Sequence, residues 1–157
     1  GEGTTVTLLL PLADTRTLAC EPARAPVDGA EMAGHGETIL IVEDSDSVRE
    51  LTATLLHKFG YRCLSAADVE SALAILRGPE TVDLLLTDVG LPGMNGRQLA
   101  DAARAWRPAL PVLFLTGYAK HSLAIGAFLG ENMDMMTKPY DAELLLARIA
   151  RMVARPE

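Results

Sequence analysis

Asp88 closes an apolar run and opens a loop of glycine and proline in the stretch Leu84-Leu85-Leu86-Thr87-Asp88-Val89-Gly90-Leu91-Pro92-Gly93-Met94-Asn95-Gly96. A carboxylate so placed is a candidate nucleophile. An unbroken apolar run followed at once by loop formers reads as a strand buried on both faces, so Asp88 is expected at the carboxyl edge of a parallel sheet. Open α/β sheets keep their chemistry at that edge. Three other apolar runs end in residues of complementary type: 39–42 in Glu43-Asp44, 112–115 in Thr116, and Met135-Met136 in Thr137-Lys138-Pro139.

If these ends converge, Glu43, Asp44 and Asp88 crowd one pocket. Two like charges ~4 Å apart repel by about 4 kcal/mol at an effective dielectric near 20, so the cluster must take up protons or a cation. A divalent metal is the economical answer. Oxygen-only ligands favour Mg²⁺ or Mn²⁺, and a site with few protein ligands keeps positions open for water and a phosphoryl oxygen. Lys138 adds a positive charge and Thr116 a small hydroxyl. That set suits phosphoryl transfer, where catalysis consists mainly of positioning and electrostatics. Asp88 is the expected nucleophile, and the product an aspartyl phosphate. Its extra charge would recruit Thr116 and Lys138 and bias a conformational equilibrium.

The elements that must position these residues alternate. A strand over 38–42 precedes a helix whose Val48, Leu51, Leu55 and Phe59 share one face, and Gly60 ends it. Residues 61–65 read as a second strand. The next helix carries Val69, Leu73 and Leu76 and stops at Gly78-Pro79, before a third strand over 82–87. Asn95 is expected to cap a helix burying Leu99, Ala102, Ala103 and Trp106. A fourth strand over 110–115, a weaker helix over 120–129, a short fifth strand over 133–136 and a helix over 141–154 complete five βα units. Right-handed crossovers then predict a doubly wound parallel sheet. In the flavodoxin-like strand order 2-1-3-4-5, strands 1 and 3 adjoin at the switch point, which brings Glu43, Asp44 and Asp88 together.

Composition narrows the function. The 157 residues are 49% hydrophobic, ample for a packed core, and carry a net charge of -7. Without clustered Lys and Arg, nucleic-acid binding is not expected. No stretch approaches the ~20 apolar residues of a membrane span, and no signal peptide is evident. Cys20 and Cys63 lack metal-ligand spacing and read as free thiols of a reducing, cytoplasmic compartment. Residues 20–36, rich in Pro, Ala and Gly, read as a linker. The chain starts at Gly1 without an initiator methionine, as a piece of something longer would.

Residues 37–153 resemble the receiver domain of two-component response regulators. The likeness rests on Glu43-Asp44, the loop with Asp88, Pro92 and Gly96, the Thr116-Gly117 step and Lys138-Pro139, all in order at strand ends. It implies a flavodoxin-like (βα)5 domain over 37–155 that accepts a phosphoryl group on Asp88 from a phosphohistidine. It further implies Asp44 and Asp88 as direct Mg²⁺ ligands, Glu43 as a ligand through water, and the Gly90 carbonyl as the remaining protein ligand. Thr116 and Lys138 would contact the phosphoryl group, and the Lys138-Pro139 bond would be cis. One departure stands out: many receivers carry a switching aromatic on the fifth strand, and this chain has Met133, Met135 and Met136 there. Tyr118, two residues past Thr116, is placed to hinder water attack on the phosphoryl group.

Residues 1–11 resemble the end of the ATP-binding domain of sensor histidine kinases. The implied organisation is a remnant of that domain over 1–19, a linker over 20–36 and a C-terminal receiver, the whole cut from a hybrid histidine kinase, a parent for which membrane attachment is left open. Such a fragment is no stand-alone enzyme. Its donor would be the kinase's own dimerisation domain or a histidine phosphotransfer protein. A homodimer is expected through the N-terminal strand or through the face of the fourth helix, fifth strand and last helix. Two other readings compete: a docking module independent of phosphorylation, and a metal-dependent phosphatase resembling haloacid dehalogenases. The latter carry Asp-x-Asp, and Gly90 replaces the second aspartate here.

Overall fold

A computed structural model describes residues 33–117 and 129–154. The expected N-terminal remnant, the linker up to residue 32, Tyr118 and nearly all of the helix expected over 120–129 lie outside the described residues. Five strands, β1 (Thr38–Val42), β2 (Arg62–Ala66), β3 (Leu84–Asp88), β4 (Val112–Thr116) and β5 (Met133–Thr137), form one parallel sheet in the order β2-β1-β3-β4-β5. This is the expected flavodoxin-like order. Four described helices accompany it: α1 (Asp46–Lys58), α2 (Val69–Arg77), α3 (Gly96–Arg104) and α4 (Ala142–Val153).

The continuous apolar runs are explained by burial on both faces. Ile39 and Ile41 of β1 face a core shared with Leu56 of α1 and Leu145, Leu146 and Ile149 of α4. Leu40 and Val42 face the other core, with Ala72 and Leu76 of α2 and Leu99 and Ala103 of α3. Successive strand side chains point to opposite faces, so a sheet covered on both sides needs no polar alternation. Met133 and Met135 pack against the second of these cores and Met136 is buried in the first.

Two helix faces differ in part from the expected ones: in α1, Leu55 and Phe59 pack against the core as expected, but Leu51 does not. Leu51 is 72% exposed, whereas Thr52 and Leu56 are the buried residues of α1. The inward face is centred between Thr52 and Leu56, and at 100° per residue Leu51 falls well off it. Trp106 is 47% exposed. Helix α3 ends at Arg104, and the bonds from Ala105 to Ala102 and from Trp106 to Ala103 wind the chain more tightly than an α-helix. The 3.6-residue period therefore stops before Trp106. Its ring packs under the Arg77 guanidinium, 4.6 Å from the centroid.

The elements are held at their ends. Asn95 caps α3 in a reciprocal box with Gln98, as expected of that residue. Arg104 donates to the carbonyls of Leu110 and Glu131, and Arg107 to those of Leu76 and Glu80. Two arginines at the end of α3 thus bond carbonyls at the end of α2 and in the segments leading into β3, β4 and β5.

Candidate functional site

The site is built where β1, β3, β4 and β5 end. Strand β3 carries Asp88 as its last residue, and the Val89 amide continues the ladder to Leu115. Glu43 follows β1 directly, and its amide bonds the Ala66 carbonyl of β2. Lys138 follows β5, with its amide on the Thr116 carbonyl at 2.7 Å, so β4 and β5 deliver Thr116 and Lys138 to one edge. The Lys138-Pro139 bond is cis, as the resemblance implied.

Three side chains meet there. The Lys138 Nζ donates to Asp88 Oδ2 at 2.6 Å and to Glu43 Oε2 at 2.7 Å. Glu43 is 5% exposed, while the Asp88 and Lys138 side chains remain partly open to solvent. Burial is the largest single influence on the Lys138 pKa and acts to lower it. The hydrogen bonds and charges of Asp88 and Glu43 together outweigh burial and hold the ammonium above its ordinary range.

Backbone contacts orient Asp88 from the other side. The Gly90 amide donates to Asp88 Oδ1 at 2.7 Å, so each carboxylate oxygen has a fixed partner. The Thr87 hydroxyl donates to the Asp88 carbonyl at 3.0 Å. Gly96 presses on the same carbonyl: a Cβ there would lie 2.2 Å from the Asp88 oxygen. Only glycine allows the start of α3 to approach the end of β3 so closely.

The expected residues separate into two groups. Glu43, Asp88 and Lys138 are in direct contact, and Thr116 is buried one residue beyond Leu115, the register partner of Asp88. Asp44 is adjacent in the chain but exposed, and Gly90 lies exposed in the loop after β3. Among the described residues, no three His, Cys, Asp or Glu side chains are grouped closely enough to hold a metal ion. The donor set still suits a hard cation. Asp44, Asp88 and the Gly90 carbonyl offer only oxygen and open to solvent, where a ion could keep its waters.

Arg49 was not singled out from the sequence. It donates to the Glu43 carbonyl at 2.7 Å and pairs with Asp46, bracing the acidic pair against the first turn of α1. The Asp46-x-x-Arg49 spacing was the available signal, since residues three apart are neighbours on a helix.

Comparison with known proteins places this arrangement. The family model described as the response regulator receiver domain matches residues 39–150. The response regulator protein FleR of Pseudomonas aeruginosa is 35% identical over 113 residues, 72% of this chain and 24% of that protein. The sensor kinase CckA of Brucella abortus is 29% identical over 163 residues, an alignment that takes in 100% of this chain and 17% of the kinase. The crystal structure of the receiver domain from the hybrid histidine kinase CckA superposes with a TM-score of 0.63 at 36% identity, covering 74% of this chain and 99% of that one. The chain thus spans well under two thirds of the curated relatives FleR and CckA.

Proposed function

The chain belongs to the response regulator receiver domain family, and from that premise we propose that Asp88 accepts a phosphoryl group from a phosphohistidine in a two-component phosphorelay. The observation that carries this reading is the clamp on Asp88. With Oδ1 on the Gly90 amide and Oδ2 on Lys138, the carboxylate is oriented before a donor arrives. In the transfer, the phosphorus-nitrogen bond of the donor breaks as a phosphorus-oxygen bond forms to Asp88, and the imidazole leaves with the electron pair.

Lys138 is then placed to shift from the carboxylate to the new phosphoryl oxygens, and Thr116 to donate its hydroxyl to them. Asp44, Asp88 and the Gly90 carbonyl would hold Mg²⁺, with Glu43 bonded through water. The ion would supply charge neutralisation at the transferring oxygens. Switching follows from the added charge, since a group of roughly two negative charges needs new partners that a carboxylate does not.

The parent protein is proposed to be a hybrid histidine kinase. Support comes from the alignment with the Brucella sensor kinase, which extends through residues 1–36 as well as the receiver. On this reading residues 1–19 derive from the kinase's ATP-binding domain, and the donor is its dimerisation domain or a separate phosphotransfer protein. Among the described residues no helix is long and apolar enough to cross a membrane, and a cytoplasmic receiver is proposed. Homodimerisation through the N-terminal strand or the β5 and α4 face belongs to the same proposal.

The test is incubation with acetyl phosphate and Mg²⁺ followed by intact-mass measurement. A gain of one phosphoryl group is expected in the native chain and no gain in Asp88→Asn. A folded native chain that gains nothing would overturn the reading.

A further inference from the structure

The residues just ahead of β1 are bonded to the body of the domain. The Gly34 amide donates to the Phe59 carbonyl at 2.7 Å and the Gly36 amide to the Gly60 carbonyl at 3.2 Å. The Glu37 carbonyl accepts from the Arg62 amide at 2.8 Å. Residues 34–37 therefore form a short strap across the turn that joins α1 to β2.

The fit allows no side chain at two positions. A Cβ on Gly34 would lie 2.6 Å from the ring of Tyr61, and one on Gly60 would lie 2.6 Å from the Gly34 carbonyl oxygen. Contacts that short are not met by small adjustment when the partner is backbone or a ring held in the core, and Tyr61 is buried. Gly36 and Gly60 also adopt positive φ, at 98° and 88°, which glycine tolerates without strain. Close contact thus calls for glycine at positions 34 and 60, and backbone conformation calls for it at positions 36 and 60.

We propose that this crossing is an anchoring site on the receiver whose occupant is the chain's own segment 34–37, so that the domain is held from Gly34 onward and not only from the first residue of β1. The consequence is directional. The strap lies where β2 begins, and parallel pairing of Thr38 with Arg62 puts that at the amino edge of the sheet. Asp88 ends β3 at the opposite edge, roughly 16 Å away for strands of five residues at ~3.3 Å each. Residues 34–37 thereby enter the domain at the edge opposite Asp88. The strap also touches the end of α1, whose first turn follows Glu43-Asp44, so the anchor and the acidic pair share one rigid helix.

Amide hydrogen exchange on the whole chain tests this, with Gly34→Val as the variant. In the native chain the Gly34 and Gly36 amides are expected to exchange at least tenfold more slowly than unstructured glycine amides. In Gly34→Val both should lose that protection, while core amides such as Leu40 keep theirs and acetyl phosphate still loads Asp88. Native Gly34 and Gly36 amides exchanging at the unstructured rate would overturn the anchor whatever the variant does. Retained Gly36 protection in a folded Gly34→Val would overturn the steric argument on which the anchor rests. Because loading of Asp88 is read separately, failure of the anchor is distinct from failure of the receiver reading.

Discussion

Lys138 and Asp88, fifty positions apart in sequence, are joined by a 2.6 Å ion pair at the carboxyl edge of the sheet, and the same ammonium holds Glu43 at 2.7 Å. One cation thus serves two carboxylates, of which Glu43 is almost wholly buried. Lys138→Met should leave those carboxylates facing each other without their cation. A loss of about 1–2 kcal/mol in urea unfolding is expected, less than the ~3–5 kcal/mol of a fully buried pair because this site is open on one side. Loading by acetyl phosphate should slow about 10²-fold, the scale of losing one preorganised electrostatic contact. Unchanged loading would remove Lys138 from the chemistry.

Gly96→Ala tests how closely α3 must approach Asp88, the proposed phosphoacceptor. Its Cβ would meet the Asp88 carbonyl oxygen at 2.2 Å, so the end of β3 or the start of α3 has to move. A cost of about 1–3 kcal/mol is expected, together with slower loading of Asp88. Gly117→Ala is the control, because among the described residues a Cβ there meets nothing within 4 Å. Its stability should stay within about 0.5 kcal/mol of the native chain. Equal melting temperatures for the two variants would refute the close-approach argument.

The sheet was legible because its apolar runs are continuous and each ends in a polar residue or a loop former, a pattern that both-face burial imposes. The Asn95 cap was legible for a local reason: asparagine three residues before Gln98 can satisfy two orphan amides at once. Helix faces were harder. In α1 the expected stripe of Val48, Leu51, Leu55 and Phe59 is met at Leu55 and Phe59, but tertiary packing centres the inward face on Thr52 and Leu56 and leaves Leu51 outside. Hydrophobicity alone does not rank two overlapping stripes centred about a quarter turn apart. The direct Lys138 to Glu43 bond was also not anticipated, since strand-end placement specifies an edge and not the reach of a lysine side chain.

That misread helix face gives a sharp contrast. Leu56 is wholly buried among Ile39, Ile41 and α4, so Leu56→Ala should cost about 2–5 kcal/mol through lost burial and the cavity left behind. Leu51 is exposed, and Leu51→Ala should change stability by no more than about 0.5 kcal/mol. Chemical denaturation of both variants measures the difference. Similar losses at the two sites would mean that α1 is rotated about its axis from the orientation described.

Cys63 supplies a pH dependence whose sign is fixed by burial. The thiol sits half-buried on the edge strand β2, 3.8 Å from the Ala53 carbonyl, and desolvation pushes its pKa from 9.0 up to about 11. Well below pH 9 the thiol is protonated whether the chain is folded or not, so it contributes almost no slope. Between pH 9 and 11 the unfolded chain releases its proton while the folded chain holds it, and stability falls as pH rises. Tyr61, raised by burial and by the Glu37 charge, acts in the same direction at higher pH. Cys63→Ala separates the two by removing only the earlier part of the slope. Independently, the folded thiol should react with iodoacetamide at pH 8 about 10²-fold more slowly than the same thiol in urea, because the thiolate fraction falls tenfold per unit of pKa. Equal rates in the two states would show that β2 leaves Cys63 fully solvated.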